Sequence, residues 1–176
     1  MSAGSPIRPL VEEDAAELYA LVDCNRARLA HWMPWAAEQT LDQTKAFISR
    51  ALQQEQVEDG FQRAVVVGAA IAGTIGFHRI DRDNRSTSIG YWIGAEFEGQ
   101  GVMSAAVTEL IRHAFGALQL HRVELQIAPD NERSRALAAR LGFREEGLLR
   151  DAERFGEEYR DLLMHSLLAT EWEART

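Results

Sequence analysis

The run Thr87–Ile127 constrains this chain more than any other part of it. Thr87–Ile93 reads as a strand, and the glycine-bearing stretch Glu98–Val102 follows it. From Val102 to about Leu118, Val102, Ala106, Leu110 and Ala114 recur at four-residue spacing, as in one face of a helix, and Arg122–Ile127 is again a strand. A strand, a helix and a strand in succession imply a right-handed crossover between parallel neighbours. A ligand is expected where such strands end.

The flanking chain fits around this centre. Ile7–Leu10 reads as a short edge strand. The acidic run Glu12-Glu13-Asp14 then opens a helix to about Asn25, where it suits the positive end of the dipole. Leu29–Trp35 is an aromatic stretch broken by Pro34, and Asp42–Gln54 is a second helix with Phe47, Ile48, Ala51 and Leu52 on one face. Ala64–Val67 and Ile71–Ile80 form a predicted hairpin. After the central unit come a short helix, Asn131–Leu141, ended by Gly142, and two strands, Phe143–Leu149 and Tyr159–Leu168. The fold class is therefore mixed α/β, and the 176 residues are expected to make a single domain, with no repeat or linker.

Charge and cysteine count narrow the function. Against 19 basic residues stand 27 acidic ones, a net charge of -8, and the basic residues are scattered rather than striped. Nucleic acid is thus an unsuitable partner, and a cationic amine is attracted over long range. No apolar run approaches the roughly 18 residues of a membrane span. The lone cysteine, Cys24, cannot close an internal disulfide, which points to the cytoplasm; its place at the end of an apolar segment predicts that it is buried.

Glu98-Gly99-Gln100-Gly101-Val102-Met103-Ser104 lies between a strand and a helix start. Glycines there allow close backbone approach, and the amides of the first helical turn suit a pyrophosphate. Tight strand-to-helix turns also use glycine without any ligand. The stretch lacks the Lys-Ser/Thr of a triphosphate-binding loop and the third glycine of a dinucleotide fingerprint.

Three segments in order, Ile89-Gly90-Tyr91-Trp92-Ile93, Glu98 to Met103, and Asn131-Glu132-Arg133-Ser134-Arg135 through Leu141-Gly142-Phe143, resemble the GNAT acetyltransferase superfamily, and within it the ribosomal-protein (serine/alanine) N-acetyltransferase branch. The resemblance implies a mostly antiparallel central sheet with one splayed parallel strand pair and about four flanking helices. It implies acetyl-CoA as co-substrate, no metal, and an amine acceptor, either a protein N-terminus or a small molecule. It also allows a homodimer. In the family's loop pattern Glu98 stands where Gln or Arg is usual and Met103 where a small residue is usual, whereas Gly101 matches. A carboxylate repels phosphate, so Glu98 reads as a solvated residue. Anion binding then falls to Gly99, Gln100, Gly101, Val102, Met103 and Ser104, through backbone amides and the Ser104 hydroxyl. The resemblance further places a pantetheine arm beside Tyr91, Trp92 and Ile93, paired like an added strand, with Gly90 permitting close approach. Asn131 matches an asparagine that holds the arm, and it equally suits the N-cap of the following helix.

Amide formation needs a neutral amine and a proton for the departing thiolate. An α-amino group, with a pKa of about 7.7–8.0, is the easier nucleophile than lysine at about 10.4. The family's usual glutamate base is replaced by Gln126. Glu124, on the same face of its strand, and His78, whose pKa suits base work, are the candidates, each also readable as an ordinary sheet residue. The family's frequent tyrosine acid is replaced by Ala138, and the ribosomal-protein branch instead offers a serine at the position of Ser134. Trp32, Trp35 and the segment around Tyr159 are expected to border the acceptor cleft. Three readings stay open: acetylation of a protein N-terminus, acetylation of a polyamine or antibiotic amine, and a catalytically weak acyl-CoA-sensing module.

Overall fold

The computed structural model describes residues 5–174. Seven strands, β1 (Ile7–Pro9), β2 (Phe61–Val67), β3 (Ala70–Asp81), β4 (Ser86–Ile93), β5 (Arg122–Ile127), β6 (Arg144–Phe155) and β7 (Glu158–Leu168), are hydrogen-bonded in the order β1-β2-β3-β4-β5-β7-β6. β1 and β2, β2 and β3, β5 and β7, and β6 and β7 pair antiparallel. The parallel pair is β4 with β5, from Ser86 opposite Arg122 to Ser88 opposite Glu124. The strand–helix–strand pattern thus yields the parallel neighbours it predicts.

Among the described residues six α-helices accompany the strands: α1 (Ala15–Cys24), α2 (Arg26–Trp32), α3 (Leu41–Gln56), α4 (Val102–Arg112), α5 (Glu132–Leu141) and, after the last strand, α6 (Ala169–Glu173). Four match the expected helices. The two further ones, α2 and α6, are five to seven residues long; α2 buries only Leu29 and α6 buries nothing, so neither writes a periodic stripe into the sequence. The expected helix to Leu118 changes form at its end, where His113–Ala117 makes a π-helical turn closed by Leu118 N–H on His113 O at 3.0 Å. Thr40 caps α3: its hydroxyl accepts from Gln43 N–H at 3.2 Å, and the Gln43 side chain accepts from Thr40 N–H at 2.8 Å.

The chain divides into two compact units. One comprises the chain up to His78 with Gly90–Val107, and the other Arg79–Ile89 with the chain from Thr108 on. In the first, Leu18, Leu21 and Val22 of α1, Leu29 of α2 and Ile48 and Ala51 of α3 pack with Ala64, Ile71 and Trp92. Burying one Leu or Ile fully contributes roughly 1.5–3 kcal/mol, against about 0–1 kcal/mol for an exposed ion pair. Apolar packing therefore holds these helices, and their charged residues are left for other work. Cys24 is exposed, contrary to expectation, because it lies off the Leu18–Leu21–Val22 face at the last residue of α1. No helix among the described residues is long and apolar enough to cross a membrane.

Candidate active site

In the first unit, the turn that precedes α4 has the predicted form. Gly99 and Gly101 adopt φ of +73° and +76°, which L side chains rarely occupy, and a Cβ at either would meet nothing within 4 Å. Conformation demands glycine here, and the space above both residues is open. The Ala105 amide donates to Gly101 O at 3.0 Å, and the amides of the first turn lie at the positive end of the dipole. Such a turn fits the diphosphate of a nucleotide-derived cofactor. Val102 is half-buried and Met103 is buried at 7%, which explains the large residue at this slot: its side chain is core. Gln100 donates to Glu96 O at 2.8 Å and so braces the turn. Ser104 is half-buried in the first turn of α4.

Glu98 is not the solvated residue expected. Its carboxylate, on a side chain 22% exposed, accepts from Arg28 Nη1 at 2.6 Å, and the Arg28 side chain is 33% exposed.

Gly90 too has a different neighbour from the one anticipated. A Cβ at this position would overlap Nε2 of His78, so the imidazole occupies the space above Gly90, one residue before Tyr91. His78 keeps exposed surface, but its ring is packed on the sheet, and that desolvation holds its pKa below the ordinary histidine value. Desolvation thus favours the neutral ring, with a nitrogen able to accept a proton. Tyr91 and Ile93 are half-buried, and Trp92 is buried among α1 and α3 residues. Trp35 is 43% exposed and its ring lies 6.2 Å from that of Trp92, while half-buried Trp32 meets His31 edge-on at 4.4 Å.

In the second unit, Asn131 caps α5, its Oδ1 accepting from Ser134 N–H at 3.1 Å. Ser134 is half-buried in the first helical turn. Arg135 fastens the same turn through Pro129 O at 3.1 Å. Tyr159, 61% exposed, stands on β7 opposite Arg154 of β6.

Glu124 is held in an ion-pair network that the sequence did not reveal. Arg122 Nε donates to Glu124 Oε1 at 2.6 Å. The fork of the same guanidinium grips both Glu146 oxygens, at 2.8 and 2.6 Å, and Ser166 Oγ donates to Glu146 Oε1 at 2.6 Å. These contacts, the Arg122 bond first, draw the Glu146 pKa down to about 2 from 4.5. Glu124 thus serves a structural ion pair, which weakens its claim as a base.

The sign of the Glu146 linkage follows from its depressed pKa. Folding stabilises the ionised form, so this contribution is complete above the unfolded pKa near 4.5 and is lost as pH falls toward about 2. Thermal unfolding followed by circular dichroism between pH 5 and pH 2 should show a steeper loss of stability for the parent than for Glu146→Gln. Equal slopes would mean that the pair does not couple to folding.

Comparison with known proteins bears directly on this geometry. The profile of the acetyltransferase (GNAT) domain matches residues 6–144. The chain belongs to the GNAT acetyltransferase family. YdaF of Bacillus subtilis (strain 168), provisionally named a ribosomal N-acetyltransferase, is 38% identical over 169 residues, 95% of this chain and 92% of its own. The crystal structure of the microcin C7 self-immunity acetyltransferase MccE, in complex with acetyl-CoA and AMP, superposes with a TM-score of 0.88 at 30% identity, covering 92% of this chain and 91% of that one. RimL, a ribosomal L7/L12 α-N-protein acetyltransferase in complex with coenzyme A, gives a TM-score of 0.88 at 26% identity, covering 94% of each chain. The mixed sheet with one parallel pair is the GNAT fold, and the enzyme is an acetyl-CoA-dependent N-acetyltransferase. Among the described residues no group of three or more His, Cys, Asp or Glu is placed to hold a metal ion.

Proposed function

We propose that the chain works as one cytoplasmic acetyltransferase domain that acetylates the N-terminal amine of a protein, a ribosomal protein being the first candidate. The observation that carries this reading is the positive-φ turn at Gly99 and Gly101, opening α4 in a chain of this family. Support for the acceptor comes from YdaF and RimL, whose names assign them to ribosomal-protein acetylation. By family resemblance the reading also includes a homodimer.

Bound acetyl-CoA supplies a thioester whose acyl carbon forms the new C–N bond to the amine as its C–S bond breaks. In the first unit, the backbone amides from Gly99 to Ser104 bind the diphosphate, and the β4 backbone at Tyr91–Ile93 pairs with the pantetheine arm. His78 takes a proton from the amine on an imidazole nitrogen, and Trp32 and Trp35 border the acceptor's path. In the second unit, Asn131 keeps the cap through Oδ1 and offers Nδ2 as a donor to the cofactor, Ser134 Oγ gives a proton to the departing sulfur, and Tyr159 meets the acceptor.

Ser134→Ala should lower kcat by at most about 10²-fold, the low end of general-acid effects, because a thiol of pKa near about 8.5 leaves as a fairly stable anion. Acetyl-CoA affinity should be intact. Asn131→Asp keeps the cap oxygen and removes the Nδ2 donor, so it should weaken acetyl-CoA binding without loss of helix stability. Turnover of Ser134→Ala at the parental rate, with chemistry rate-limiting, would leave Ser134 a helix-end serine.

A small-amine acceptor is the second reading, favoured by the likeness to MccE, whose name describes self-immunity to a microcin. Thiol release from acetyl-CoA, measured with peptides bearing free α-amines and with polyamines, separates the readings. Turnover of peptides is expected. Turnover of polyamines alone would move the acceptor to small molecules, and cofactor binding with no turnover would leave a sensor.

A further inference from the structure

Arg28 stands in the first turn of α2, next to the buried Leu29. Its guanidinium reaches the chain that leads from β4 into the glycine turn. Nη1 donates to Glu98 Oε1 at 2.6 Å, and Nη2 donates to the carbonyl of Ile93 and to Asn25 Oδ1, the latter at 3.3 Å. Asn25 is itself buried. Its Oδ1 accepts from Ala95 N–H at 2.8 Å, and its Nδ2 donates to Leu21 O at 3.0 Å and to Glu96 Oε2 at 3.3 Å. Two side chains from the junction of α1 and α2 therefore grip Ile93, Ala95, Glu96 and Glu98, four of the six residues from the strand's last residue, Ile93, to Glu98.

This grip answers the difficulty that Glu98 poses. An acidic residue three positions before Gly101 repels a diphosphate, and its effect decays only over a screening length of about 8–10 Å at ordinary salt. A guanidinium at 2.6 Å turns that charge into a local dipole. Only the planar fork of arginine can hold a carboxylate and a backbone carbonyl together in fixed directions. Ion pairs this close to the surface add little to global stability, so the consequence of the contact is local.

We propose that Arg28 is a positioning residue for the cofactor loop, cancelling the charge of Glu98 and fixing the path from Ile93 to Glu98 so that the Gly99–Gly101 turn is presented in one conformation. The proposal rests on the acetyl-CoA reading above. It assigns to the α1–α2 junction a part in cofactor affinity that the loop sequence alone does not carry.

Calorimetric titration with acetyl-CoA, together with thiol-release kinetics and melting curves, tests it. Arg28→Ala should melt close to the parent yet bind acetyl-CoA about tenfold or more weakly, with the loss larger at low salt because Glu98 then acts uncancelled. KM for acetyl-CoA should rise while kcat at saturation stays within a few-fold. Glu98→Gln should bind at least as well as the parent, and the double variant Arg28→Ala/Glu98→Gln should recover part of the lost affinity. Arg28→Lys, which keeps the charge but not the fork, should fall between parent and Arg28→Ala, and it carries the test should Arg28→Ala not fold. Parental affinity in both Arg28 variants overturns the proposal, as does a loss that Glu98→Gln leaves untouched. A parent chain that binds no acetyl-CoA overturns the cofactor reading and this proposal with it, whereas a parent that binds while the Arg28 variants bind equally well overturns this proposal alone.

Discussion

Replacing His78 by glutamine should lower kcat with an α-amine acceptor by roughly 10²-fold, near the lower end of general-base effects. The lower end is expected because an α-amino group of pKa about 8 is already about one-tenth neutral at pH 7, so the base has less to supply than it would for lysine. His78 suits the role by placement as well as by acidity. Its ring lies over Gly90, beside the β4 stretch proposed to pair with the pantetheine arm, and desolvation lowers its pKa, which favours the neutral imidazole. The lowered pKa carries a sign of its own. The folded state binds this proton less tightly than the unfolded chain does, so the parent's kcat/KM profile should steepen below pH 6.5, beyond the loss of neutral amine that both enzymes share below about pH 8, and that extra steepening should be absent in His78→Gln. Gly90→Ala provides an independent check, since the added methyl would displace the imidazole without removing it. It should lower kcat with a smaller effect on the KM for acetyl-CoA. A His78→Gln enzyme with the parental rate and pH profile would remove His78 from the chemistry.

Gly101→Val should weaken acetyl-CoA binding by roughly 10- to 100-fold, the worth of about one charge-assisted hydrogen bond at 1.5–3 kcal/mol. Two physical effects combine in this variant. A β-branched residue at φ +76° is strained by about 1–3 kcal/mol, so the turn shifts toward negative φ and its amides lose their common aim. The side chain also enters space that is open in the parent, where a diphosphate would lie against the backbone. Calorimetry on a variant shown to be folded by circular dichroism measures the loss, and unchanged affinity would refute the phosphate-loop assignment. Gly101→Ala retains part of the strain with little bulk and should fall between the two.

Several elements were legible from residue order because their causes are local. β5 spans Arg122–Ile127, as residue order predicts, since its burial alternates and turns bound it on both sides. The start of α5 was marked by Asn131 and its end by Gly142, whose φ of +92° is the left-handed cap that glycine supplies. β6 runs on to Phe155, well past the expected Leu149, because its outer half is rich in charged residues and is held by pairing with β7 rather than by an apolar face of its own. The glycine turn before α4 was likewise visible, because positive φ and a helix start are properties of a few consecutive residues.

The charges and rings that decide the site were not visible in this way. Arg28 meets Glu98 across 70 positions, Arg122 meets Glu146 across 24, and His78 covers a glycine on the neighbouring strand. Sequence alone determined the family, the order of strands and helices, and the glycine turn, since each rests on short-range pattern or motif. Which carboxylate is tied into an ion pair, which imidazole is desolvated, and what cancels the acidic residue before the loop were decided by tertiary structure. These depend on distances between side chains far apart in the chain, and electrostatic and packing energies follow that separation in space rather than in sequence.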